Sequence, residues 1–203
     1  MAGDEQRHPV IADTDALIAV ANTDLWEAIV DTLQITTTNV CYQELSRHIS
    51  ETSAHAPEGT REWRLHYGSK IAREPFDDNT NESFTVVTCV PRPHGEDAGE
   101  TSLQTEIEQH LDEYRFAILM DKHGRRSINR VFDDADTETG RAVAPTFLLY
   151  LLLEQEACTE EAFCNACGDI LQGEGWTGYQ AITAAWEAIP VDCSKYLPDE
   201  FLP

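Results

Sequence analysis

The sequence has 203 residues, room for one domain with a complete core, and its 41% hydrophobic content is globular and excludes a disordered chain. No apolar run approaches the roughly 18 residues of a membrane helix; the longest covers 146–153. The N-terminal MAGDEQRHPV lacks the charged-then-apolar order of a signal peptide, so a cytoplasmic protein is expected.

Acidic residues number 37 against 14 basic ones, a formal net charge of −23, and only Lys70, Lys122 and Lys195 are lysines. At ordinary ionic strength so much like charge works against a compact state. At 1 M salt the screening length falls to about 3 Å, and the repulsion fades. The composition is that of a halophilic protein whose acidic surface keeps it hydrated. The acids are spread along the whole chain and form no tail for a basic partner. A low pI ordinarily argues against nucleic-acid binding, which draws on Lys and Arg. In high salt, net charge reports the solvent more than the ligand.

In chain order, Val10-Ile11-Ala12 is short enough for a buried strand and ends at Asp13-Thr14-Asp15. Leu17, Ile18, Leu25, Ile29 and Leu33 follow at helical spacing. The β-branched run within 33–40 predicts a strand, and 41–53 a helix with Leu45 and Ile49 inward. Residues 54–95 are the least regular part, with a short helix over 60–72 and an extended run over 84–90. A helix with the stripe Leu103, Ile107, Leu111 comes next. The run Phe116 to Met120 suits a central parallel strand buried on both faces, with Asp121 at its end. Then come a helix over 124–132, a short strand over 142–144, an apolar helix over 146–156 and a helix capped by Thr159. The aromatic tail predicts a last helix over 178–188; it would suit a core or a homodimer interface equally. Alternation of strands and helices predicts an α/β fold with a mostly parallel sheet. Ligands bind beyond the carboxyl ends of such strands, which singles out Asp13 and Asp121.

Six cysteines occur, Cys41, Cys89, Cys158, Cys164, Cys167 and Cys193, and a cytoplasmic compartment keeps them reduced. Cys164-x-x-Cys167 is half of a zinc-ribbon spacing without its second half. The segment FCNACGDIL reads as a helix burying Cys167, with Cys164 at the border of that face. Buried core thiols are expected; a metal site including Cys158 is the alternative.

Four acids stand in distinctive local text. IADTDALIAV carries Asp13, VCYQEL carries Glu44, DAGETSLQTEI carries Glu100 with Asp97 beside it, and FAILMDKHGRR carries Asp121 and Arg126. In this order the segments resemble the motifs of PIN-domain ribonucleases, and the resemblance covers most of residues 8–172. It implies a three-layer α/β/α sandwich and a phosphodiesterase acting on RNA. Asp13, Glu44, Glu100 and Asp121 would be catalytic ligands of Mg²⁺ or Mn²⁺, with Asp97 a further member. Thr14 would orient Asp13 or a ligand water, and Lys122 and Arg126 would meet the substrate phosphate. Many relatives are toxins paired with an antitoxin-like protein. Residues 1–172 would form the nuclease domain, with a long irregular insertion at 54–95, and 173–203 a helical and loop extension packing on it. Two positions depart from the pattern: Lys122 stands where many relatives carry a second acid, and Asp15 where a small Ser, Asn or Gly is usual.

The residue types suit the chemistry. Hard divalent cations prefer carboxylate oxygens, and crowding carboxylates without a cation is costly. Two other readings remain. Asp13-x-Asp15 after a strand resembles haloacid-dehalogenase-type phosphatases, with Lys122 and Asp133-Asp134 in the other roles; the fold could also serve as a non-catalytic nucleic-acid-binding or partner-binding module. His48, one turn after Glu44, could support that carboxylate, and His123 could face the pocket.

Overall fold

The computed structural model describes residues 9–90, 92–95, 97–134, 140–176 and 178–203. The reading of the N-terminal decapeptide rests mainly on residues 1–8, which lie outside the described residues. The elements are β1 (Val10–Ala12), α1 (Thr14–Ala21), α2 (Trp26–Thr32), β2 (Ile35–Thr38), α3 (Asn39–Glu51), α4 (Arg61–Asp77), β3 (Phe84–Val87), α5 (Ala98–Gln109), β4 (Phe116–Ile118), α6 (Lys122–Asp134), β5 (Arg141–Val143), α7 (Thr146–Glu154), α8 (Glu160–Gly173) and α9 (Tyr179–Trp186).

The five strands form one parallel sheet in the order β3-β2-β1-β4-β5. Successive side chains of a strand point to opposite faces, and here each face meets its own core. Val10, Ala12, Ile118 and Val143 pack with α1, α2, α7 and α8. Ile11, Ala117 and Ala142 pack with Cys41, Leu103, Ile107, Ile128 and Phe132 from α3, α5 and α6. This is the three-layer α/β/α sandwich expected, and both faces being covered explains why the central strands β1 and β4 read as unbroken apolar runs. No helix among the described residues is long and apolar enough to cross a membrane.

Three expectations change. The helical pattern over 17–33 is two helices, because Asn22 and Thr23 divert the backbone. The Asn22 amide donates to the Ile18 and Arg64 carbonyls at 2.8 and 3.1 Å, and the Thr23 hydroxyl to the Val20 carbonyl at 2.8 Å; such local side-chain bonds compete with helix propagation. Within 54–95 the helix is longer than expected and the extended run is a strand of the sheet. Helix α4 continues through a buried Pro75 to Asp77 and packs on α1 and α3, and β3 is the edge strand beside β2. The helix therefore runs five residues past the 60–72 expected, although proline ordinarily disfavours a helix interior.

The third change concerns the cysteines. Cys164 and Cys193 form a disulfide with their Cα atoms 5.5 Å apart, so the reading of six reduced thiols is corrected. So is the alternative of a metal site built on the Cys164-x-x-Cys167 pair, because the Cys164 sulfur is already bonded. The C-terminal segment folds back over α8, where a Cβ on Gly168 would stand 2.7 Å from Leu197 Cδ2. That close approach brings Cys193 within bonding geometry of Cys164.

Candidate active site

In the strand order, β2 and β3 lie to one side of β1, and β4 and β5 to the other. The crevice outside the carboxyl ends of β1 and β4 is therefore the switch point where α/β sheets bind ligands. Asp13 follows β1 and its N–H donates to the Ile118 carbonyl of β4 at 3.0 Å. Asp121 leads from β4 into α6.

Both aspartates cap the helix that follows. Asp13 Oδ1 accepts from the Ala16 N–H at 2.6 Å and Oδ2 from the Met120 N–H at 3.1 Å. Asp121 Oδ2 accepts from the Gly124 N–H at 2.7 Å. A carboxylate at a helix N-terminus meets the orphan N–H groups and the positive end of the dipole. The repeated strand–Asp–helix text thus puts two carboxylates at neighbouring strand ends.

The glutamates are held by close packing against glycines. Glu44, on α3, accepts from the Thr14 hydroxyl at 2.7 Å, with the Cys41 carbonyl 3.2 Å from the same hydroxyl. Thr14 thus bonds Glu44, whereas the sequence points to a role in orienting Asp13 or a ligand water. A Cβ on Gly99 would stand 2.9 Å from Glu44 Oε2, and one on Gly124 3.1 Å from Glu100 Oε2. Each glutamate lies so close over a glycine that any added side chain would push it aside. In α5 the helix N-terminus carries Gly99 and Glu100 side by side, so one element seats one acid and supplies the next.

Asp13, Asp15, Glu44, Asp97, Glu100 and Asp121 line one cavity of about 330 Å³. Desolvation raises the Asp13 carboxyl to about 7; the charges of Asp15 and Glu44 add to this, and the bonds from Ala16 and Met120 oppose it. Burial also raises Glu100, with Asp121 and Asp97 adding and His123 opposing. His123 therefore bears on Glu100, and His48 lines the cavity near Glu44. An all-oxygen donor set around a solvent-open cavity fits a hard divalent cation. Among the described residues, no three His, Cys, Asp or Glu side chains are arranged as a ready cage for one. Crowded carboxylates repel without a cation to share.

Other expected participants lie elsewhere. Lys122 lines a neighbouring cavity and Arg126 is exposed, and neither lines the acidic one. Asp133 and Asp134 sit at the far end of α6, roughly 18 Å along the axis from Asp121 at about 1.5 Å per residue. The phosphatase reading needs them at the strand ends and is corrected.

Several site residues escaped the sequence reading. Arg125 is only 5% exposed. Its Nη1 donates to the Leu119 and Met120 carbonyls at 2.8 and 2.7 Å, tying down the segment that leads into Asp121. Arg47 and Arg61 line the acidic cavity. Arg47 lies three residues after Glu44, a helical spacing that could have flagged it; Arg61 comes from α4 and had no such signal.

An α/β sandwich with acids gathered at its switch point defines a class of protein built to place a charged ligand against carboxylates. The family model described as "Halobacterial PIN domain" matches residues 1–203. The chain belongs to the halobacterial PIN-domain family, whose wider class is typically made of metal-dependent nucleases. No curated protein and no solved structure matches the chain.

Proposed function

We propose that this protein is a divalent-metal-dependent endoribonuclease acting at the acidic cavity. The observation that carries this reading is the meeting of Asp13, Glu44, Asp97, Glu100 and Asp121, from four segments of the chain, in one cavity at the β1/β4 switch point. Asp13, Glu44, Glu100 and Asp121 would hold Mg²⁺ or Mn²⁺, with Asp97 in reserve at the rim. When bound, the ion lowers the pKa of a water and neutralises charge on the phosphate. The protein's own groups orient the reaction. Thr14 fixes Glu44, the backbone N–H groups of Ala16 and Met120 fix Asp13, and Arg47 and Arg61 stand where they can meet a phosphodiester. No side chain needs to become a covalent nucleophile.

Single-stranded RNA incubated with the protein and Mn²⁺ in high salt is expected to be cleaved. EDTA stops the cleavage and added Mn²⁺ restores it. If the protein neither cleaves RNA nor binds a divalent ion by calorimetry, the reading is wrong.

A second expectation concerns the packing that seats the acids. Gly99→Ala puts a methyl carbon 2.9 Å from Glu44 Oε2, close enough to displace that carboxylate. Mn²⁺ affinity by titration calorimetry is expected to fall about 10-fold, as for lost support of a metal ligand. Thermal stability should shift by less than about 1 kcal/mol, since alanine favours the helix that the methyl group crowds.

A further inference from the structure

Two more cavities meet the acidic one at Asp15, which lines all three. The one beside Asp121 has a volume of about 420 Å³ and differs in character from the acidic site. Met120, Trp176, Ala181 and Ala184 give it apolar walls, and Lys122 and Gln180 add polar groups. Lys122 lines this cavity and not the acidic one, and so places a positive charge next door to the carboxylates.

The backbone of Trp176 is fixed by the end of α8. Glu174 caps the C-terminus of helix α8, and the Gly175 N–H donates to the Gln172 carbonyl at 3.1 Å while the Trp176 N–H donates to the Leu171 carbonyl at 2.8 Å. These paired bonds form a Schellman ending, which needs a left-handed residue after the cap. Gly175 supplies it at φ 64°. The Glu-Gly-Trp text thus turns the chain so that a half-buried indole faces a cavity adjoining the candidate site.

The solvent sets what such a cavity can bind. In high salt, phosphate contacts lose their counterion-release advantage and act over only about 3 Å. Base–aromatic stacking is short-ranged and carries no net charge, so it persists. A strand bound to a chain of net charge −23 needs such contacts more than a strand bound to a basic protein does.

We propose that this second cavity is a nucleotide subsite, in which the base next to the scissile phosphate of a single-stranded RNA stacks on Trp176 and a phosphate of that nucleotide meets Lys122. The proposal rests on the nuclease reading for the identity of the ligand, and its test is separable. Binding of a short single-stranded RNA is followed without metal, in high salt, by tryptophan fluorescence quenching and by anisotropy of a labelled strand. Trp176→Ala is expected to weaken binding about 10-fold or more, the loss of one base stack, and Trp176→Phe to stay within about 3-fold of wild type. An abasic residue walked along the strand should reproduce the Trp176→Ala loss at one position, and the alanine variant should be indifferent to that abasic site. A merely structural tryptophan would show no such position. Equal binding by wild type and Trp176→Ala, or a loss unaffected by every abasic position, overturns the subsite, as does wild-type protein that binds no RNA. Wild-type protein that binds RNA with the abasic signature but never cleaves it with Mn²⁺ sinks the nuclease reading and leaves the subsite supported.

Discussion

Asp13→Asn is expected to lower Mn²⁺-dependent RNA hydrolysis by more than about 100-fold, the upper end of what losing mere support of a metal ligand costs. The fold should survive, because asparagine is as good a helix cap as aspartate and its oxygen can still accept from the Ala16 N–H. The same substitution at Asp121, also a cap, should act alike. The metal-free protein offers a check independent of catalysis. Burial raises the Asp13 carboxyl to about 7 in the folded state, against about 3.9 in an unfolded chain. Between those values the native state binds the extra proton. The stabilising contribution of Asp13 is therefore full below about pH 4, is lost as pH rises to about 7, and stays flat above that. Urea unfolding across this range should show wild-type stability falling relative to Asp13→Asn. A constant offset between the two is expected as well, because the amide nitrogen cannot accept from the Met120 N–H. Saturating Mn²⁺ should remove the pH-dependent difference by stabilising the ionised carboxylate. Parallel curves for the two proteins without metal would contradict the raised Asp13 carboxyl.

The second large effect concerns the C-terminal segment. Cys193→Ser should destabilise the protein by about 3.5 kcal/mol, from the chain-entropy relation applied to the 29-residue separation of Cys164 and Cys193. The melting temperature should fall by on the order of 10 °C for a domain of this size. The bond fastens residues that contribute to the larger core: Val191, Tyr196, Leu197 and Leu202 pack against it, and the Trp186 indole donates to the Phe201 carbonyl at 2.9 Å. A reductant should bring wild type down to the variant and leave the variant unchanged. Thiol titration of the unfolded, unreduced chain should count four reactive thiols, those of Cys41, Cys89, Cys158 and Cys167. Titration of all six cysteines would refute the bond.

Much of the site was legible because it is written locally. An apolar run followed by aspartate identifies Asp13 and Asp121, and parallel strands deliver both to one edge of the sheet. Glu44 and Glu100 could be named only by resemblance, because a glutamate on a surface helix looks the same whether it faces water or a crevice. Their seats, Gly99 and Gly124, lie on helices remote in sequence from the acids they accommodate, and no periodicity links them.

What the sequence by itself determined is the alternation of apolar strands and helices, the salt-adapted charge and the two strand-end aspartates, because each depends on neighbouring residues or on composition. Tertiary structure alone decided the rest: the Thr14 bond to Glu44, the buried Arg125 that ties the approach to Asp121, the Cys164–Cys193 bond and the cavity that unites Lys122 with Trp176. These join residues far apart in the chain, and their geometry exists only once the sheet has brought its strand ends together and the C-terminal segment has folded back across α8.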